Sequence, residues 1–426
     1  MAYDYDGDSV VSNVESVVMA VEFLQPVEFG RVVDEVDQVL EVESGQEQFD
    51  DEVDHTFGVK DLEEEVGDEV GEQEDEELVE EEFEDEAVEE EDEEDFKLGG
   101  FHPVRAGTPL NSRCSFSRYD GTFFELLLSR YCTVKKLGTG AFSQVWQCRD
   151  LENGGQVAVK VLKSDSFVTE MGEEEAELLA NLTKSRKEEL VKLLDQFVKD
   201  GPNGRHVCIV TELCGPCLLD ILPEYGMCLS NVKQVVGQVL AGLEFLHSKG
   251  IIHADIKPEN VLLSNNSSLT NIARAAESIK VKLADFGGAL QVDEISPAIV
   301  GTSEYRSPEL LLEAPYGTEI DVWAAACLGF ELATGTYLFK PVAKGMVSKE
   351  EMHLALITKV LGPAPQDLVR SGRSGKLMYS RRRGELHNFP QNGLGSEDLK
   401  ELIGQRRGKP ESEDEVFSKF LLSMLK

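Results

Sequence analysis

Basic side chains are nearly missing from the first 100 residues. Arg31, Lys60 and Lys97 stand there against 40 aspartates and glutamates, which is −37 of the −40 formal charge of the 426-residue chain. The remaining 326 positions hold 38 basic and 41 acidic side chains, so the acidity belongs to one end. No apolar run approaches the roughly 18 residues of a membrane span. The mildly apolar stretch from Val17 to Leu24 has acidic flanks and contains Glu22, unlike a secretory signal. The 8 cysteines are scattered, without the density of a disulfide scaffold. The expectation is a soluble, unsecreted protein of a reducing compartment.

From Asp61 to Asp95 the acidic run is almost unbroken. Like charges at that density repel, and the isolated Val, Leu and Phe residues offer too little burial to offset chain entropy. Residues 1–96 are therefore read as a disordered acidic tail. A flexible chain of that length spans about 50–60 Å, enough to reach any face of the domain behind it. Its role is either solubility or competition for basic ligands. Residues 97–130, with Gly99-Gly100 and Pro103, read as a connector closing in a short lead-in from Tyr119 to Tyr131.

A folded domain occupies 131–426, divided as a small lobe 131–211, a hinge 212–217 and a large lobe 218–426. Its first strand, Cys132 to Leu137, runs into Gly138-Thr139-Gly140-Ala141-Phe142-Ser143-Gln144-Val145-Trp146. Two glycines between strands let backbone amides approach phosphates. The apolar strand Val157-Ala158-Val159-Lys160 ends in a lysine placed to bind phosphate. A buried lysine needs an acid. The helical run Thr169 to Leu182 supplies Glu175, which shares a face with Leu178 and Leu179, while Glu173, Glu174 and Glu177 compete as solvated readings.

Arg205 to Thr211 reads as a buried strand leading to Glu212-Leu213-Cys214, a lobe connection able to contact adenine. Cys214-Gly215-Pro216-Cys217 has redox-pair spacing, but it follows a strand at a hinge, and redox chemistry is the weaker reading. The helix Val232 to His247 stops at Gly250. Next comes His253-Ala254-Asp255-Ile256-Lys257-Pro258-Glu259-Asn260, a phosphoryl-transfer loop. In it Asp255 accepts a hydroxyl proton, Lys257 holds the transferring phosphate and Asn260 ligates magnesium. Beyond the polar insert Ser264 to Ser278, the strand Lys280 to Leu283 delivers Asp285-Phe286-Gly287. Asn260 and Asp285 make an oxygen-only site suited to Mg2+. Asp321 opens an apolar helix and is expected to cap the backbone of the loop at 253–260.

Taken in this order, the glycine loop, strand lysine, helix glutamate, Asp255 loop, Asp285 and Ser307-Pro308-Glu309 resemble a protein kinase. Within kinases the chain is similar to the SR-protein kinase family, which phosphorylates serines in arginine-serine repeats of splicing factors. That resemblance rests on Leu137 to Trp146, on Asp255 to Asn260 and on Phe330-Glu331-Leu332-Ala333-Thr334-Gly335-Thr336-Tyr337-Leu338-Phe339. It implies an α+β, two-lobed kinase fold with a small antiparallel sheet and a larger helical lobe, and ATP with Mg2+ as cofactors. It also implies Asp255 as base, Lys160 and Glu175 as an ion pair, and Leu137, Gly138, Gly140, Val145, Ala158, Glu212 and Cys214 around ATP. The implied partners are basic protein substrates, SR splicing factors among them, with no direct nucleic-acid or membrane contact. A monomer of the cytoplasm and nucleus, acting in mRNA splicing regulation, completes the expectation.

The chain departs from that pattern in places. Ser143 replaces the usual third glycine, and Ala254 stands where many kinases have arginine. Without that cation a phosphate on Thr302 or Ser303 loses its usual dock, so activity independent of activation-segment phosphorylation is expected. Thr336, Met352 and Lys359 occupy positions where the family's substrate groove carries acids, with Glu350 and Glu351 still close by. The family's long spacer between lobes is absent. The chain stops at Leu425-Lys426, before the helix whose arginine pairs with Glu309, so a truncated C-terminus and a buried, unpaired Glu309 are expected. Two alternatives stay open: a kinase of non-SR substrates, and a catalytically silent kinase-like scaffold whose acidic tail binds basic partners.

Overall fold

The computed structural model describes residues 96–119, 122–264, 279–294, 299–380, 385–389, 394–408 and 413–425. The acidic tail and the polar insert after Ser264, as read from the sequence, lie outside the described residues.

Six antiparallel strands form the small lobe: β1 (Pro109–Tyr119), β2 (Thr122–Thr139), β3 (Ser143–Asp150), β4 (Gln156–Leu162), β5 (Leu193–Gly201) and β6 (Gly204–Glu212). Their order across the sheet is β1-β2-β3-β4-β6-β5. The two-residue period of β4 buries Val157, Val159 and Val161 with Trp146, Cys148, Cys208 and Val210, and turns Ala158 and Lys160 to the other face. Helix α1 (Ser166–Lys184) packs on the sheet through Val168, Gly172, Glu175, Ala176, Leu179 and Leu182, at helical spacing. The Asp165 side chain caps its first turn by accepting from the Phe167 amide.

Residues 97–130, expected as a connector, contain a strand. Pro109 pairs with Cys132 and Tyr119 with Thr122, making β1 and β2 one long hairpin. Only Asp120 and Gly121 separate the two strands, and that dipeptide favours a two-residue hairpin turn.

After α2 (Leu218–Ile221), the large lobe is built on α3 (Leu229–His247) and α4 (Pro308–Leu312), then on α5 (Glu319–Thr334). Every residue of α5 from Ile320 to Thr334 is buried, so it is a central post rather than an amphipathic surface helix. Against it pack α3, α9 (Leu399–Arg407) and α10 (Glu413–Met424), while α6 (Lys349–Leu361) and α7 (Gln366–Ser371) pack on α4, and α8 (Gly375–Met378) on α7. Short strands lie at its upper edge: β7 (Ile251–Ile252) pairs with β10 (Leu290–Gln291), and β8 (Val261–Leu263) with β9 (Val281–Leu283). These ladders fix both ends of the 253–260 loop and the start of the 285–287 turn.

Candidate active site

Register places the first group. Val145 of β3 lies opposite Lys160 of β4, and Gln147 opposite Ala158, so Val145, Ala158 and Lys160 share one face. Across the sheet, Lys160 Nζ reaches Glu175 Oε2 at 2.8 Å and Asp285 Oδ1 at 2.7 Å. Glu175 is 4 % exposed and lies on the buried face of α1. Burial pulls the Lys160 ammonium down, but the two carboxylates outweigh it and hold the group above the ordinary lysine value. Burial raises the Asp285 carboxyl, and Lys160 outweighs that too, leaving it below its ordinary value.

The second group is the loop after β7. Asp321, at the start of α5, accepts hydrogen bonds from the amides of His253 and Ala254, both at 2.8 Å, and stands 2.8 Å from His247 Nε2. The expected cap is thus present, made by a carboxylate 1 % exposed. Ala254 and Asp285 both take left-handed backbone, with φ of 65° and 62°, a local strain that the surrounding bonds must hold. Asp255 Oδ2 pairs with Lys257 Nζ at 2.8 Å. Its Oδ1 accepts from the Thr302 hydroxyl at 2.7 Å and the Thr302 amide at 3.0 Å. Lys257 Nζ also donates to Thr302 Oγ1 at 3.0 Å. Burial raises the Asp255 carboxyl, but Lys257 and Thr302 prevail, so it is ionised well below neutral pH. Asn260 Nδ2 donates to Asp255 O and Oδ2, leaving its amide oxygen for a cation. Asn260 and Asp285 offer oxygen only, which fits a hard divalent ion.

The protein kinase domain family matches residues 131–407. The chain belongs to that family. It is 35% identical over 388 residues to a serine/threonine-protein kinase SRPK of Physarum polycephalum, covering 78% of this chain and 86% of that protein. It is 27% identical over 508 residues to SRSF protein kinase 3 of Homo sapiens, again covering 78% and 86%. A crystal structure of a kinase domain superposes with a TM-score of 0.59 at 23% identity, over 76% of this chain and 93% of that one, a likeness of fold. The protein is thus a serine/threonine kinase of the SRPK type, and its fold class is as the sequence resemblance implied.

In this kinase the nucleotide cleft lies between the lobes. Leu137 is exposed at its mouth, with Gly138 opposite Val145 in the β2–β3 ladder and Gly140 donating its amide to Ser143 O. A Cβ on Gly138 would meet nothing within 4 Å, so no packing contact requires glycine here. At the hinge, the Glu212 carboxylate accepts from Lys282 Nζ at 2.9 Å and from the Lys192 amide at 3.0 Å. Its side chain is therefore engaged within the protein. Cys214 and Cys217 are half-buried, and burial pushes each thiol up to about 11, which withholds the thiolate that redox exchange requires.

Two participants have no signature in the sequence. Thr302 reads there only as a phosphate acceptor, yet its hydroxyl bridges Asp255 and Lys257. Glu331, on α5, is 4 % exposed and accepts a hydrogen bond from Tyr305. Burial first, then Glu259 and Glu304, push its carboxyl up to about 7. One expectation is corrected: Glu309 is half-buried in the first turn of α4 and not buried. At a helix N-terminus the backbone amides already favour a carboxylate. Of the altered groove positions, Thr336 accepts from Arg406 at 3.3 Å and Lys359 pairs with Glu397 at 3.2 Å.

Proposed function

We propose that this kinase moves the γ-phosphate of ATP, held with magnesium, to serine of basic proteins, with arginine-serine-rich splicing-factor-type proteins as the first candidates. The observation that carries the reading is the joint placement of Asp255, Lys257, Thr302 and Asp285 in the large lobe and of Lys160 and Glu175 in the small one, with Lys160 paired to Asp285 between them. Asp255 takes the proton of the serine hydroxyl as its oxygen bonds to the γ-phosphorus and the bond to the β-phosphate oxygen breaks. Lys257 offsets charge on the phosphoryl oxygens, and Lys160 holds the phosphates behind it. Asn260 and Asp285 would hold the magnesium, which neutralises charge on the phosphates.

A basic substrate is supported by the acids beside this site. Glu259 and Glu304 act on Glu331, and Glu350 and Glu304 act on Arg306. A substrate cation among them would relieve repulsion between like charges. A second reading, a kinase of basic substrates without arginine-serine repeats, is favoured by Thr336 and Lys359, whose partners are the chain's own Arg406 and Glu397. Transfer to an arginine-serine repeat peptide, a lysine-serine peptide and a neutral serine peptide separates these. The first reading expects arginine-serine to lead in kcat/KM, the second expects equal use of both basic peptides, and a neutral peptide used as well as either contradicts both.

A further inference from the structure

Ahead of β1, residues 99–102 lie across the small lobe where β4 passes into α1. The Gly99 amide donates to Asn203 O at 3.0 Å, and Asn203 Nδ2 donates back to Phe101 O at 2.6 Å. The Ser164 amide donates to Gly100 O at 3.2 Å, and its hydroxyl to Asn203 O at 2.6 Å. Phe101 is 3 % exposed, with the Lys163 ammonium 4.1 Å from its ring centre. His102 packs on His206 with ring centres 5.0 Å apart, and His206 Nδ1 donates to Leu162 O at 2.9 Å. The fit is close: a Cβ on Gly201 would lie 2.3 Å from His102 Nδ1.

These contacts converge on the connection Lys163-Ser164-Asp165 and on the last carbonyl of β4. That connection has Lys160 three residues before it and α1, with Glu175, directly after it. It sets where α1 stands on the sheet, and so whether Glu175 reaches Lys160. We propose that the 99–102 strap is a positioning element for phosphate transfer, with Phe101 and Asn203 holding α1 in the stance that closes the Lys160–Glu175 pair. The proposal rests on the reading of that pair as the anchor for the nucleotide phosphates.

The test uses the full chain with Phe101→Ala, Asn203→Ala and the conservative Phe101→Leu, each alone and Phe101→Ala also combined with Glu175→Gln. Phosphate transfer to a basic serine peptide is followed well below each variant's melting temperature. Phe101→Ala and Asn203→Ala are expected to lower kcat about tenfold with the peptide KM unchanged, and Phe101→Leu to restore most of it. In the Glu175→Gln background Phe101→Ala is expected to cost less than about twofold, because the pair it positions is already broken. A lowered melting temperature with unchanged kcat would reduce the strap to a structural role and overturn the proposal. The same tenfold loss in both backgrounds would overturn it as well. Full activity of Glu175→Gln alone would instead remove the reading of the pair, and the proposal with it.

Discussion

Asp255 takes its properties from two neighbours. Lys257 neutralises one oxygen and Thr302 orients the other, so the carboxylate proposed as the base is ionised and held in place by the fold itself. Thr302→Val is expected to lower kcat about 10- to 100-fold with little change in the KM for ATP, and Thr302→Ser to keep most of the activity; steady-state kinetics checks both. Glu331 is the opposite kind of carboxylate. It keeps its proton in the folded protein up to about pH 7, against 4.5 for the ordinary group. Between those values the folded state binds the extra proton, so stability falls as pH rises from about 4.5 to about 7 and then levels. Glu331→Gln escapes that fall. Its stability relative to the parent is expected to climb over the same window by on the order of 3 kcal/mol, read from urea midpoints at several pH values. At this scale Lys160, Glu175, Asp255, Asn260 and Asp285 were legible because each sits in a short motif. Thr302 and Glu331 were not, because their partners lie 47 and 26 residues away and no local pattern links them.

Elements supply the rigidity those residues need. The α5 post places Asp321 under two loop amides and His247, so one carboxylate closes the backbone of the catalytic loop. Asp321→Ala would leave buried donors unpaired and is expected to cost about 3 kcal/mol or more in stability, measurable by thermal or chemical unfolding. Gly301 is a second such point. It has a φ of 70°, and a Cβ there would lie 2.5 Å from Ala254 O. Arg306 donates to the carbonyls of Val300 and Gly301, which ties the activation segment down by backbone contacts. Gly301→Ala is accordingly expected to lower kcat by more than tenfold through displacement of Thr302, whereas purified protein without phosphate on Thr302 or Ser303 should be active. The helices at 169–182 and 232–247 were readable from periodicity, and the Asp321 cap from an acid set in an apolar run. The β1–β2 hairpin was not, because Gly99-Gly100 and Pro103 have the composition of a linker and the one turn signal, Asp120-Gly121, stands alone. The Glu212 side chain also escaped, since Lys282, its partner, is 70 residues on.

For the whole molecule, the two lobes meet through ion pairs drawn from both. Lys160 from the small lobe and Asp285 from the large one approach to 2.7 Å, so a nucleotide bridging them should stabilise the fold. Saturation at about 100 times the dissociation constant corresponds to roughly 2.7 kcal/mol, and the melting-temperature rise with ATP and magnesium should vanish in Lys160→Met. The two-lobed architecture was readable because its motifs come in a fixed order along the chain. What the acids around Glu331 and the altered groove at Thr336 and Lys359 select was not, because specificity there is set by pairing between distant elements. The most direct test of the account is the rate of γ-phosphate transfer from ATP and magnesium to a basic serine peptide by the wild-type chain and by Asp255→Asn, with ATP binding measured on both. The account predicts a fall of about 10²- to 10⁴-fold in transfer with nucleotide affinity retained. Equal transfer by the two proteins would contradict it.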